Sequence, residues 1–409
     1  MSKLLAPAMD TKTAHYKRKI IKELCCGNVM SAQQISLLID RSLPLTIKLL
    51  SELVDEGTII ESGYALSTGG RRPQMYSLAG GKQYVISVAM DQLFTKMAII
   101  DIENCKIGDI KKYSLNLYEN SFQVSLIVKH LCDFIEQVPT DKKDKIIGIG
   151  IGMPGFVDIG KGINYTFLDN NGENIAEYIE GIVSIPVFID NDSSLIALAE
   201  SKFGAAKNKK NAMVINFGWG VGLGMIIDHK LFRGNNGFAG EFSHIHLFEN
   251  NKLCGCGKSG CLETEASLLV VINKVKEALQ HGRVTMVKSI SEDLEEATSV
   301  IIGAALRGDQ LSVDILSNVA YNIGNGIAIL IHLLNPELIV ISGRGAAAGN
   351  MLLAPIQQAV NKFCIPRLAN YTDVVVSPVS TNAELLGGAA LVIENYDTGI
   401  FNSIKYKTA

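Results

Sequence analysis

Three cysteines within eight residues make the densest concentration of chemistry in the chain. In "GEFSHIHLFENNKLCGCGKSGCLE" (240–263), Cys254, Cys256 and Cys261 offer soft thiolates, and His244 lies ten residues before the first of them. Three thiolates and an imidazole satisfy a tetrahedral zinc ion, and the intervening glycines let the chain wrap around it. Four protein ligands close the metal, so zinc here is structural and any chemistry falls to the neighbours it positions. The competing reading, buried cysteines without a metal, leaves polarisable thiols packed among glycines with little core to join.

A second stretch, "INFGWGVGLG" (215–224), alternates glycine with larger residues. Gly218 and Gly220, followed by glycines 222 and 224, suggest a backbone whose N–H groups approach a phosphate closely. Trp219, the only tryptophan in the chain, is out of place in such a loop: an indole either fills the cradle or points away from it.

These groups need elements to hold them. A chain of 409 residues with 47% hydrophobic residues supports two or three domains of roughly 100–200 residues each. No run approaches the roughly 18 apolar residues of a membrane span, and the N-terminus lacks a secretory core of about 7–15 apolar residues, so a cytoplasmic protein without membrane partners is expected. Eight cysteines are too few for a disulfide scaffold and suit metal ligation in a reducing compartment.

The net charge of −3 conceals an asymmetry: residues 1–80 carry ten Lys/Arg against seven Asp/Glu, the remainder 28 against 34. The basic front reads as three helices and a hairpin. "AHYKRKIIKELCC" is followed by "SAQQISLLID", which Ser31 can cap, and by "SLPLTIKLLSELVDEG", with Pro44 in its first turn and Gly57 as its stop. Strands over 58–65 and 74–79 follow. This is the outline of a winged helix-turn-helix: Arg41, Thr46, Lys48 and Ser51 are candidate DNA contacts at the third helix, with Arg71 and Arg72 in the wing. A helical cap for protein contact, with solvated arginines, is the alternative.

From residue 82 onward β-branched runs alternate with helical segments, giving an α/β class. A strand–turn–strand ending "MAIID" at 97–101 recurs as "GMIID" at 224–228, which suggests a duplicated, actin-like or sugar-kinase (ribonuclease H-like) two-lobed fold. The expected division is 1–80 as winged helix-turn-helix, 81–190 as the first lobe completed by a C-terminal helix over 383–397, and 191–382 as the second lobe.

"GFAGEFSH" followed by "CGCGKSGCLE" resembles the hallmark of the ROK family of repressors, open reading frames and kinases. "GIGMPGFVD", "PVFIDNDSSLIALAESKFG", "LNPELIVISG" and "AELLGGAALV" are similar to family segments in the family order, and "STGGRRPQMYSL" resembles the wing and linker of its repressor branch. The resemblance implies that Asn191 and Asp192 bind sugar hydroxyls, with Asp192 the base in kinases. It also implies that Glu241, His244 and Glu263 hold the other hydroxyls. A helix cap at Asp192 and a helix-start carboxylate at Glu263 are the plain readings of those two alone. Ser193 and Ser194 depart from the common Ala–Asn.

Both phosphate loops of family kinases are altered here. In "DQLFTK", Asp91 and Thr95 remain while Leu93 and Phe94 replace glycines; in "GWGVGLG", Trp219 replaces a threonine. The resemblance therefore implies a sugar-responsive repressor, with operator DNA and a monosaccharide, amino sugar or sugar phosphate as partners, acting as a homodimer or higher homo-oligomer. ATP is not expected as a ligand. The alternatives are a sugar kinase with an accessory DNA-binding head, and a regulator that docks a transport protein.

Overall fold

Isoleucine and leucine at helical spacing fold the front of the chain into three helices. In the computed structural model, which describes residues 8–66, 72–103, 105–117, 123–168 and 170–397, these are α1 (Ala8–Leu24), α2 (Ala32–Leu38) and α3 (Leu43–Asp55). Ile20, Ile21 and Leu24 of α1, Ile35 of α2, and Leu49, Leu50 and Leu53 of α3 are buried together. Ser31 caps α2 in a capping box: its Oγ accepts from the Gln34 N–H at 3.3 Å, and Gln34 Oε1 accepts from the Ser31 N–H at 2.9 Å. Ser42 precedes α3 with no side-chain cap, and Pro44 occupies the first turn, where a missing N–H costs nothing. Strands β1 (Met30–Ser31), β2 (Ile59–Tyr64) and β3 (Gln74–Leu78) form an antiparallel sheet in the order β1-β3-β2. Arg71 lies outside the described residues.

The chain divides into two compact units, one from the residues up to Asp190 with those from Leu385 onward, the other Asn191–Glu384. The helical head belongs to the first. The Cys26 N–H donates to the Ile102 carbonyl at 2.8 Å, and Cys26 and Cys105 are joined by a disulfide, which a reading of wholly reduced cysteines does not anticipate. Lys22 of α1 donates to the Glu394 carbonyl at 2.6 Å and pairs with Asp397 at 3.0 Å. The helix Ala383–Asn395 thus leads directly to the head.

Behind the head stands a sheet in the order Val187–Asn191, Ile146–Met153, Tyr84–Met90, Phe94–Asp101, Lys106–Ile107. The second unit repeats the plan: Lys230–Phe232, Val221–Ile227, Ala212–Phe217, Leu338–Ser342, Asp373–Val376. In each, the first strand in sequence is central and antiparallel to the second, and it is parallel to Ile146–Met153 in the first unit and to Leu338–Ser342 in the second; Lys111–Ser114 also pairs with Phe94–Asp101 in the first. This is a duplicated ribonuclease H-like fold. The repeated "MAIID" and "GMIID" close the second strand of each copy.

Close helix–sheet contact is arranged by glycine in both copies. A Cβ on Gly150 would lie 2.0 Å from the carbonyl of Gly388 in the first unit, and one on Gly224 would lie 2.2 Å from the Ala197 Cβ in the second. The long helix Gln310–Leu334 starts at Asp309, whose buried carboxylate accepts from the Ser312 N–H at 3.0 Å, the Ser312 hydroxyl at 2.7 Å, the Thr285 hydroxyl at 2.8 Å and the Met286 N–H at 2.7 Å. Those bonds outweigh the cost of burial and hold its pKa down at about 2.

Candidate metal centre and sugar site

The loop 240–263 is pinned from beneath. Phe242 and Leu262 are buried against the long helix at Gly326, where a Cβ would lie 2.9 Å and 2.7 Å from them. His244 falls in a short 3-10 turn, Phe242–His244, and the Leu262 N–H donates to the Ile245 carbonyl at 3.1 Å, closing the loop. One ligand atom each from His244, Cys254, Cys256 and Cys261 then falls within 4.8 Å of the others. Cys254 Sγ is 3.5 Å from His244 Nδ1, and Cys256 Sγ is 3.6 Å from Cys261 Sγ. A tetrahedral zinc with Zn–S bonds of ~2.3 Å has S···S edges of about 3.8 Å, so the donor set fits that ion. When bound, such a metal draws thiol protons away and locks the loop.

Two carboxylates border the cluster. Glu241 Oε2 is 3.6 Å from His244 Nε2, the ring nitrogen not facing Cys254. The Glu241 carboxyl is raised from its ordinary value chiefly by lost hydration; His244 opposes the shift and Glu263 adds to it. Glu263 Oε1 lies 3.6 Å from Cys254 Sγ, and its Oε2 accepts from the Val221 N–H at 3.5 Å.

That last contact reveals what the glycine loop does. A Cβ on Gly220 would stand 2.5 Å from Glu263 Oε2, and one on Gly222 would stand 2.0 Å from Ser193 Oγ. None of residues 218, 220, 222 and 224 has a positive φ. Three of these four glycines therefore admit neighbouring side chains and a helix. The indole of Trp219 is buried in the hydrophobic core of the second unit, with the Arg344 guanidinium 5.1 Å from its ring centroid.

Asn191 and Asp192 begin the helix Asp192–Phe203, and Asn191 is its cap: its Oδ1 accepts from the N–H groups of Ser193 at 2.9 Å and Ser194 at 3.2 Å. Asp192, the residue with a helix cap as its plain reading, sits one position further in. Its half-buried carboxylate accepts from the Ser193 N–H at 2.8 Å. Lost hydration pushes its pKa up to about 7; the Ser193 N–H pulls the other way, and Glu384 adds to the rise. Ser193 Oγ in turn accepts from Asn216 Nδ2 at 3.0 Å. Gly220 faces Glu263 and Gly222 faces Ser193, so the acidic edge of the metal loop and the start of the Asp192 helix meet the same short stretch of chain, two residues apart.

Sequence reasoning missed Arg344 and Glu384. Arg344 Nη1 pairs with Glu384 Oε1 at 3.2 Å, and both act on Asp192 electrostatically. The position of Arg344, just beyond the strand Leu338–Ser342 in "ISGRG", is the available signal, because α/β sheets place binding groups at carboxyl ends of strands. In the first unit, Asp91 Oδ1 accepts from the N–H groups of Leu93 at 2.7 Å and Phe94 at 2.9 Å, so this oxygen caps its own turn. Phe94 and Thr95 are buried.

On the head, Arg41, Lys48, Ser51 and Arg72 are exposed. Thr46 is a correction: it is fully buried and its hydroxyl donates to the Ser42 carbonyl at 3.1 Å, because position 46 falls on the same helical face as Leu49, Leu50 and Leu53. It cannot serve as a DNA contact.

Fold and site together define a two-lobed sugar-kinase-like body carrying a three-helix head, and comparison with known proteins identifies its kin. Residues 99–395 match the ROK family model. The chain is 30% identical to a xylose repressor of Caldicellulosiruptor bescii over 93% of its own length and 95% of that protein's. Among solved structures, a ROK family transcriptional regulator described as a homolog of the E. coli MLC protein superposes with TM-score 0.78 at 24% identity, over 97% of this chain and 100% of the other. A ROK family glucokinase from Streptomyces griseus, in complex with glucose and AMPPNP, matches with TM-score 0.66 at 26% identity, over 75% of this chain and 98% of its own. The chain belongs to the ROK family. Among its described residues no helix is long and apolar enough to cross a membrane.

Proposed function

We propose that this ROK chain is a DNA-binding transcriptional regulator, acting as a repressor, whose two-lobed body senses a monosaccharide, amino sugar or sugar phosphate and carries a structural zinc. The observation that carries it is the three-helix and hairpin head bound to the first lobe, within a match that spans nearly the full length of a xylose repressor. The head has exposed cations at Arg41, Lys48 and Arg72. Asn191, Asp192, Glu241, His244 and Glu263 form the sugar-recognition set, whose carboxylates can accept hydrogen bonds from sugar hydroxyls.

A regulator without kinase activity is supported by where the loops place their groups. Asp91 caps its own turn, Gly220 and Gly222 accommodate Glu263 and Ser193, and Trp219 replaces a hydroxyl with an indole held in the core. The pKa of Asp192, about 7, favours a second reading as a sugar kinase, because that value suits a general base. Winged helices on a palindromic operator argue for a homodimer.

The decisive experiment is gel-shift selection of operator fragments by the purified protein, repeated with xylose, N-acetylglucosamine, glucose and their phosphates, alongside a coupled assay for sugar phosphate with ATP. Retarded DNA whose affinity changes with one sugar, without turnover, is the expected result. Sugar phosphorylation that Asp192→Asn abolishes would establish the kinase instead.

A further inference from the structure

The outward face of α3 is unusually apolar for a surface helix. Its exposed stripe is Pro44, Ile47, Lys48 and Ser51, opposite the buried Thr46, Leu49, Leu50 and Leu53. Ile47 is 48% exposed, and Leu43 and Leu45, in the same first turns, are 41% and 36% exposed. Lys48 is the only basic side chain on this helix. Branched aliphatic groups held in water gain by meeting an apolar surface.

The charge around the patch selects its occupant. Arg41 stands two residues before α3 with its guanidinium over the Tyr16 ring, Lys48 interrupts the aliphatic stripe, and residues 1–80 as a whole have three more cations than anions. A polyanion is therefore the complementary partner. In the major groove of DNA, the exposed apolar group on a base edge is the C5-methyl of thymine. The N-terminal residues of a recognition helix are those that reach base edges.

We propose that Ile47, with Leu43 one turn before it on the same side of the helix, reads thymine C5-methyl groups, so that the preferred operator has thymines in register beside the Lys48 contact. The inference deepens the regulator reading and rests on it. Ser51, one turn further along the stripe, and Lys48 supply the polar contacts, while the aliphatic cluster supplies discrimination at T·A pairs that no hydrogen bond from this helix needs to read.

The test separates this claim from the reading beneath it. Duplexes selected from a random 20-mer pool by the full chain are resynthesised with deoxyuridine replacing thymidine, which preserves pairing and deletes only the methyl. Wild-type affinity should fall about three- to five-fold for each contacted methyl, the transfer value of one buried carbon. Ile47→Ala should bind thymine and uracil duplexes equally, and Ile47→Gln should do the same, with thermal melting confirming that both remain folded. Equal binding of the two duplexes by the wild type overturns the proposal, as does a thymine preference that survives both variants. A change of oligomeric mass in Ile47→Ala with thymine preference intact makes the patch a protein interface and overturns it as well. Failure of the pool to enrich at all removes the regulator reading itself, and this inference with it.

Discussion

Glu241 Oε2 lies 3.6 Å from Nε2 of His244, while the other ring nitrogen of that histidine faces Cys254 Sγ at 3.5 Å. The imidazole is thus held between the thiol cluster and a carboxylate, an arrangement that in a metal site fixes ring orientation and raises ligand basicity. Glu241→Gln should weaken zinc retention against a chelator by about 10- to 100-fold, and Cys256→Ser should lower the zinc content of the purified protein with loss of thermal stability. Elemental analysis that finds no stoichiometric zinc in the unmutated protein would remove the metal assignment.

The glycine loop makes a second prediction, in which four positions behave differently. Gly222→Ala and Gly224→Ala should destabilise by about 1–3 kcal/mol each, because the added methyl meets Ser193 and Ala197 inside van der Waals distance. Gly220→Ala should displace Glu263 and weaken sugar binding with a smaller stability cost. Gly218→Ala, whose Cβ would meet nothing closer than 3.5 Å, should be nearly neutral. Chemical denaturation of the four variants checks the order. A uniform response would mean that the glycines serve backbone freedom and not packing.

Those four positions also mark the limit of what sequence can convey. Alternation of β-branched runs with helical segments gives the α/β class, and the "MAIID" and "GMIID" repeat locates the duplication, because periodicity and local composition are properties of short windows. The cysteine spacing locates the cluster of His244, Cys254, Cys256 and Cys261 for the same reason. Thr46 fails because a helical face is set by what packs beneath it, and a threonine between leucines does not announce that it is covered. Gly222 fails similarly: its partner, Ser193, is 29 residues earlier, and only the packing of the helix Asp192–Phe203 on the strand Val221–Ile227 brings them together. Arg344 and Glu384 belong to the same class of long-range relationship.

Asp309 offers a stability test away from any ligand. Its carboxyl, held at about 2, is depressed from its ordinary value of 3.8, so its contribution is complete above pH 4 and is lost as pH falls toward 2. Asp309→Asn keeps much of the shape but removes the charged acceptor for Ser312, Thr285 and Met286. It should cost about 1–2 kcal/mol at pH 7 and nearly nothing at pH 2. Urea unfolding at the two pH values checks it, and an equal loss at both would show that charge is not the source.

Asp192 carries the opposite sign. Its carboxyl is raised from 3.8 to about 7, so the folded state resists ionisation; the resulting penalty is present in full above pH 7 and relieved as pH falls toward 4. Asp192→Asn should therefore raise stability at pH 8 by about 1–2 kcal/mol, discounted for the exposure that this side chain retains, with little change at pH 4. Sugar recognition moves the other way if the ionised form accepts the hydroxyl hydrogen bonds. Affinity should rise through pH 7 to a plateau near pH 8 and fall by up to about tenfold per unit below pH 6.5, and the sugar should pull the apparent pKa downward as it binds. In Asp192→Asn the affinity should be lower at pH 8 and flat across the same range. Isothermal titration calorimetry between pH 5.5 and 8.5, in buffers of different ionisation enthalpy, reads both the affinity and the proton released. A pH-independent affinity in the unmutated protein, with no proton release near pH 7, would show that Asp192 does not meet the sugar as a carboxylate.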